Sequence, residues 1–117
     1  MQARPTAHSF HVLDISIQAI EELRPIVDRI RQHDRDLADQ LRRALSSIAL
    51  NIAEGNRSPG GHRIARFSTA AGSASEARVS LRVAAAWGYV AHADTQPGDA
   101  LLDRVEAMLR RLGARRQ

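Results

Sequence analysis

Hydrophobic residues recur every three or four positions in four separate segments of this chain, and no segment alternates apolar and polar residues as a strand does. This period places the apolar side chains of each segment on one face of an α-helix. We therefore predict an all-α fold with helices over about residues 12–31, 37–54, 59–88 and 97–112. A flexible arm, residues 1–10, and a flexible tail, residues 113–117, complete a single domain that spans residues 1–117.

The connections between these segments carry residues that start and stop helices. Asp36 is predicted to be the N-cap of the second helix, and Gly55 lies where a left-handed cap residue would end that helix. Ser58 and Pro59 form an N-cap and first-turn pair for the third helix. Pro25 lacks a backbone donor, so the first helix is expected to kink or to begin again in the preceding turn. Because the connections are short, neighbouring helices should run antiparallel, as an up-down-up-down four-helix bundle.

The third segment contains a run of small side chains, TAAGSASEARVS, between residues 69 and 80. Alanine, serine and glycine allow another helix to approach closely, here on more than one face of the segment. Gly88 is predicted to end this helix, with Tyr89 and Val90 as the apolar residues that follow the cap. Residues 92–98 are predicted to be a polar linker to the last helix.

Apolar residues exceed what a single bundle core needs in the first and third helices. Such a surplus is typical of a subunit interface, so we expect the chain to form a homo-oligomer. The candidate interface residues are Val12, Ile15, Ala19, Ile26, Val79, Val83, Ala84, Ala86 and Trp87. The sequence does not count the subunits.

Composition argues against enzymatic chemistry. The chain has no cysteine, which excludes a disulfide, a thiolate zinc site and a thiol nucleophile. The histidines share no metal-binding spacing with carboxylates, and neither a glycine-rich phosphate loop nor a nucleophile elbow is present. No apolar run is long enough to cross a bilayer, and residues 1–10 lack the apolar centre of a secretory signal. We therefore predict a cytoplasmic protein with no enzymatic activity, metal site or cofactor.

The basic residues are the chemically distinctive part of the composition. All 17 are arginines, against 13 acidic residues, and arginine pairs bidentately with phosphates. A cluster from the second helix into the third has Glu54 as its one acidic residue. This cluster consists of Arg42, Arg43, Arg57, Arg63 and Arg66. It is either a phosphate-binding surface or an ordinary solvated face, and the sequence leaves both interpretations open.

Polar residues also occupy helix positions where the apolar pattern expects hydrophobic ones. Asn51 and Glu54 lie beside Ile48 and Ile52, and Glu76 lies on the alanine-rich centre of the third helix. They could form a binding or catalytic cluster. We favour a structural role, because buried polar groups are usually there to be hydrogen-bonded. In this role Asn51 and Glu54 satisfy backbone groups around the glycine turn and an arginine pairs with a carboxylate, while Glu76 holds a buried arginine or a backbone donor.

These polar positions fall within QLRRALSSIALNIAEGNR and AAGSASE, which resemble the signature of the bacterial 23S rRNA intervening-sequence proteins. The matching signature residues include Gln40, Asn51, Glu54, Gly55, Gly72, Ser73 and Glu76. The resemblance extends over about residues 13–112 and implies a four-helix bundle that assembles as a ring-shaped homopentamer. It also implies kinship with the accessory protein of diversity-generating retroelements, which engages nucleic acid and a reverse transcriptase.

Two functions from different classes follow. The first is a non-enzymatic oligomer that binds RNA or another nucleic acid, or assembles a nucleoprotein, through the arginine cluster. Repetition of a weak phosphate-binding surface around a ring would convert modest contacts into avidity. The alternative is a protein-interaction scaffold, for example for a reverse transcriptase, with no nucleic-acid specificity of its own.

Overall fold

The computed structural model describes residues 7–114, and this part of the chain consists of four α-helices without a strand. The helices are α1 (Ala7–Arg31), α2 (Arg35–Asn56), α3 (Gly60–Ala86) and α4 (His92–Ala114). α2 packs between α1 and α3, and α4 packs against the other side of the same two helices. α1 and α3 therefore lie on one diagonal of a bundle. The predicted all-α four-helix bundle is confirmed.

Apolar residues of all four helices form the core of the bundle, but on α1 the predicted stripe is only partly correct, because Ile17 is 44% exposed. α1, α2 and α4 contribute mainly large aliphatic side chains, including Leu23, Leu41 and Leu102. α3 contributes Phe67 and Leu81, and otherwise mostly alanine, which lets its neighbours pack closely. Several residues predicted for a subunit interface are instead buried in this core. They are Val12, Ile15, Ala19, Ile26 and Ala84.

Two predicted N-caps are wrong. Asp34, not Asp36, caps α2: its backbone is extended and its carboxylate accepts a hydrogen bond from the Leu37 amide at 3.0 Å. Asp36 lies in the first turn, where an acid complements the helix dipole. Ser58 does not cap α3, because its hydroxyl donates to the Glu54 carbonyl at the end of α2. Pro59 occupies the N-cap position of α3 without a side-chain acceptor.

Gly55 does not end α2 as a left-handed residue. It is buried inside the helix, and a Cβ added there would lie 2.6 Å from Cε1 of Phe67. The missing side chain therefore allows α3 to approach α2. Gly88 does end α3 as predicted, with φ of 80° and with the Tyr89 amide donating to the Ala84 carbonyl at 3.0 Å.

α1 begins before the predicted position, so residues 7–10 are helical rather than part of an arm. Ser9 is fully buried, which shows that the bundle packs against this first turn. α1 also continues through Pro25 and does not begin again before it. Residues 1–6 of the predicted arm lie outside the described residues.

α4 includes the segment predicted to be a linker. Thr95 is buried and its hydroxyl donates to the His92 carbonyl at 2.7 Å, while Gly98 packs directly against Leu23 of α1. Packing on α1 thus extends the helix across Pro97, where local sequence favours a break. Of the predicted tail, residues 113–114 are helical and residues 115–117 lie outside the described part. No helix within residues 7–114 has the length and apolarity to cross a membrane.

Candidate nucleic-acid interface

The outer face of α2 presents arginines to solvent. Arg43, Leu50 and Arg57 are separated by seven positions each and lie on one side of the helix, and all three are exposed. Arg42 is exposed beside them. Arg57 is bound to the Glu54 carboxylate at 2.6 Å, which partly neutralises its charge. Arg42 and Arg43 form no ion pair among the described residues, so their guanidinium groups remain available to an anion.

The electrostatic effect of these arginines is seen at Asp39, one turn before them. A hydrogen bond from Arg31 at 2.6 Å lowers the pKa of Asp39, and the charges of Arg43 and Arg42 lower it further. The lowered pKa of Asp39 therefore comes mainly from Arg31 of α1, and Arg43 and Arg42 add smaller contributions.

Four polar residues join α2 to α3 beside this face. The Asn51 side-chain amide donates to the Ser47 carbonyl at 2.9 Å, and the Ser47 and Ser73 hydroxyls are 2.8 Å apart. Arg66 donates from Nη1 to Oδ1 of Asn51 at 3.4 Å, while its side chain stays exposed. The signature residues Asn51 and Ser73 are therefore a hydrogen-bonded connection between helices, and Arg66 extends from it into solvent.

Arg63 is buried, with only 3% of its surface exposed, so its predicted role in binding nucleic acid is wrong. Its Nη1 donates to the Gly55 carbonyl at 3.4 Å, and its Cζ lies 5.1 Å from the centre of the Phe67 ring. The spacing of Arg63, Phe67, Ala70 and Ala74 is that of a core stripe. This spacing is the sequence signal that could have separated Arg63 from Arg66.

The remaining signature residues do not form a buried polar cluster. Gln40, Gly72 and Glu76 are exposed, and Glu76 makes no hydrogen bond or ion pair within the described part of the chain. The prediction that Glu76 holds a buried arginine or a backbone donor is therefore wrong for this chain. Glu54 is half-buried, and its carboxylate pairs with the exposed Arg57 instead of the backbone groups that it was predicted to satisfy.

An ionic cluster between α3 and α4 was not predicted from the sequence. Arg78 donates to both carboxylate oxygens of Asp99, at 2.9 and 3.3 Å, and to Asp103 at 3.0 Å. Glu106 lies 3.6 Å from Arg78 and also binds Arg110 at 2.8 Å. The hydrogen bond to Asp99 raises the pKa of Arg78 above its usual value. The spacing of the three acids along α4 was the available signal.

Two surface hollows border these elements. One of about 450 Å³ lies beside α2 and α3 and is lined partly by Leu37, Val79 and Val83. Another of about 380 Å³ lies against the Arg78 cluster and includes Arg82 and His92. Within residues 7–114, no three histidine or acidic side chains are grouped so that they could hold a metal ion.

The fold and this surface define a four-helix-bundle protein with an arginine-bearing α2–α3 face. A family model described as 23S rRNA-intervening sequence protein matches residues 8–111, and the chain belongs to this family. The family predicted from the sequence signature is thereby confirmed.

A solved structure from Bacteroides thetaiotaomicron, described as a protein with unknown function from the S23 ribosomal protein family, is similar in fold. The TM-score is 0.79 at 16% identity, and the match covers 87% of this chain and 97% of that chain. At this identity the likeness concerns the fold alone. Among curated proteins, none matches the chain.

Proposed function

We propose that this protein is a non-enzymatic oligomer that binds RNA or another nucleic acid through exposed arginines of α2 and of the start of α3. This surface consists of Arg42, Arg43, Arg57 and Arg66, and we call it the α2–α3 arginine surface. The observation that carries the proposal is the exposure of these arginines on a face where Glu54 is the one acid between Arg42 and Arg66. Guanidinium groups placed in this way can pair with phosphates, which do not require base-specific contacts.

The order of the side-chain contacts supports the antiparallel up-down-up-down path that places this surface. On α2 and α3, Ser47 meets Ser73 whereas Gly55, later on α2, meets Arg63, earlier on α3. On α3 and α4, contacts also run in opposite order, since Ser75 meets Glu106 and Arg78 meets Asp99. The α2–α3 arginine surface therefore extends along α2 and around its connection to α3.

Self-association is supported by exposed apolar residues on diagonal helices. Phe10 and Ile17 are exposed on α1, and Val79 and Val83 are exposed on α3. These two patches differ, so a contact between the α1 patch of one copy and the α3 patch of the next would be heterologous, and such contacts form a ring when the rotation between subunits closes. A ring agrees with the homopentamer that the family resemblance implies. It would repeat the arginine surface once per subunit and strengthen binding by avidity.

Binding of a structured RNA, measured by gel retardation, tests the nucleic-acid function. In about 50 mM salt the wild-type protein should retard the RNA, and the affinity should fall steeply towards about 200 mM. The double substitution Arg43→Gln and Arg66→Gln should lower affinity and reduce the slope of log K against log salt by about one for each phosphate that is no longer neutralised. Arg104→Gln with Arg111→Gln, exposed positions on α4, removes the same charge elsewhere and serves as the control. An equal loss of affinity in this control, or no retardation at low salt, would contradict the proposal.

The second candidate is a scaffold that holds a partner protein, such as a reverse transcriptase, without binding nucleic acid specifically. The exposed Leu50 and the apolar hollow lined by Val79 and Val83 favour it. A ring-sized mass in light scattering together with no RNA retardation at low salt would support this second function over the first.

A further inference from the structure

Three aromatic rings form a row at the end of the bundle where α3 ends and α2 begins. His33 and Tyr89 are stacked with centroids 5.2 Å apart and planes 5° from parallel. Trp87 stacks against Tyr89 at 6.4 Å and 17°. Both distances lie in the range of offset aromatic stacking. Trp87 ends the row and is 70% exposed.

The chain holds this row rigidly. Gly88, with φ of 80°, turns the backbone so that the Tyr89 amide donates to the Ala84 carbonyl at 3.0 Å. The Asp34 carboxylate is near enough to act electrostatically on the Tyr89 hydroxyl, and Asp34 is itself fixed as the N-cap of α2. We call the row of His33, Tyr89 and Trp87 the platform. A platform that is ordered before binding loses little conformational freedom when a planar ligand stacks on it.

We propose that Trp87 stacks an unpaired nucleobase of the nucleic acid whose phosphates contact the α2–α3 arginine surface. This inference rests on the proposed nucleic-acid function and narrows its substrate class to molecules with single-stranded bases. The bases of a continuous duplex are stacked on each other and do not present a face to Trp87.

The position of the row relative to the arginines supports this ligand. Arg35 is exposed at the first position of α2, in the same connection as His33. Arg42 lies seven positions further along α2, about 10 Å at 1.5 Å per residue, with Arg43 beside it. Asp34 and Asp36 offset positive charge at the platform itself. The platform therefore suits the neutral face of a base, while the phosphates on either side reach the arginines along α2.

Trp87 is the chain's only tryptophan, so its fluorescence reports directly on stacking. The probes are a single-stranded oligoadenylate of about 16 nucleotides, a covalently closed circular duplex whose base pairs all lie inside the stack, and inorganic polyphosphate. We expect oligoadenylate to quench the fluorescence at saturation, and the duplex and polyphosphate to leave it nearly unchanged although they bind the arginines. Equal quenching by polyphosphate would overturn the stacking proposal, because polyphosphate has no base.

Substitutions separate this inference from the function on which it rests. Trp87→Ala should weaken oligoadenylate binding by about 5- to 150-fold, the equivalent of losing one stacked base, and leave duplex affinity unchanged. Trp87→Phe should restore part of the loss. The double substitution Arg43→Gln and Arg66→Gln should weaken binding of both probes.

Three other results would contradict the stacking proposal, and one of them would also contradict the nucleic-acid function. If the arginine variant loses affinity while Trp87→Ala binds oligoadenylate like the wild type, the platform is wrong and the arginine surface stands. If Trp87→Ala changes the oligomer mass in light scattering, Trp87 belongs to the subunit interface and the platform is again wrong. If neither probe binds the wild-type protein at low salt, the nucleic-acid function and the platform both fail.

Discussion

Arginines on the two sides of α3 differ in whether an acidic residue of the neighbouring helix pairs with them. On the side of α4, Arg78 is surrounded by Asp99, Asp103 and Glu106 and its charge is used within the chain. On the side of α2, the one partner of Arg66 within residues 7–114 is the neutral amide of Asn51, and Arg66 remains exposed. The number of arginines on a helix therefore does not identify a binding surface. The groups supplied by the neighbouring helix decide which arginines remain available to a phosphate.

A similar difference separates two arginines of one helix. Arg63 and Arg66 are three positions apart on α3, yet Arg63 is buried against Gly55 and Phe67 and Arg66 reaches solvent. Both residues are arginines, so residue type alone does not distinguish them. The rotation of α3 relative to α2, which follows the core spacing of Arg63 and Phe67, places Arg63 in the core and Arg66 at the surface.

The largest effect on stability is expected when Arg63 and Arg66 are substituted one at a time. Arg63→Gln should lower the free energy of unfolding by about 1–3 kcal/mol, since it removes a buried hydrogen bond from a charged donor to the Gly55 carbonyl and the contact with Phe67. Arg66→Gln should change stability by less than about 0.5 kcal/mol while weakening RNA binding. Urea unfolding and RNA gel retardation of both variants measure the two effects. Equal stability of the two variants would remove the distinction between them.

An intermediate loss of stability is expected from substituting Arg78, on the side of α3 that faces α4. Arg78→Gln leaves three carboxylates facing one another, and we expect a loss of about 1–2 kcal/mol, reduced from the value of fully buried charged hydrogen bonds because Arg78 is 32% exposed. High salt should shrink this loss, because ions screen the repulsion between the acids. RNA affinity should not change. A fall in RNA affinity as large as that of the Arg43 and Arg66 variant would show that both sides of α3 bind nucleic acid.

The smallest effect on stability is expected from the ionisation of Tyr89, which follows α3 and lies near the start of α2. Burial raises the pKa of Tyr89 above its usual 10.0, and the nearby Asp34 carboxylate raises it further. The stabilisation is therefore complete below pH 10.0 and is lost as the pH rises through the folded-state pKa. Because Tyr89 is the only tyrosine, tyrosinate absorbance follows this one group.

Asp34→Asn provides the comparison for that titration. Asparagine preserves the N-cap of α2 but removes the negative charge, so the titration midpoint of Tyr89 should move down towards its usual value. A midpoint that is the same in both proteins would mean that Asp34 does not contact the tyrosine hydroxyl in solution.

The helices were predictable where a periodic apolar stripe was long, and their ends were not. The stripe of α2 was found correctly, but its N-cap is Asp34 because that residue, not Asp36, has an extended backbone. The start of α4 was missed because Pro97 and Gly98 disfavour a helix locally. The contact of Gly98 with Leu23 of α1 outweighs that preference, and a local pattern cannot contain it.

At the candidate site, the sequence located the arginines and the signature but could not assign their roles. Arg42, Arg43, Arg57 and Arg66 are exposed as proposed, whereas Arg63 is buried and Glu76 is exposed without the expected arginine. The aromatic row was also hidden, since His33 and Tyr89 are far apart in the chain and meet only where α2 and α3 pack.

By itself, the sequence determined the all-α class, the number of helices, the family and the excess of arginine over acid between Arg42 and Arg66. These properties depend on local periodicity, on the spacing of signature residues and on composition. Only the tertiary structure decided which arginines are buried, paired or exposed, why Gly55 must lack a side chain, and where Trp87 lies. The physical reason is that an arginine side chain is long enough to reach a carbonyl, a ring or a carboxylate on another helix. Which of these it meets depends on the packing of helices that are distant in sequence.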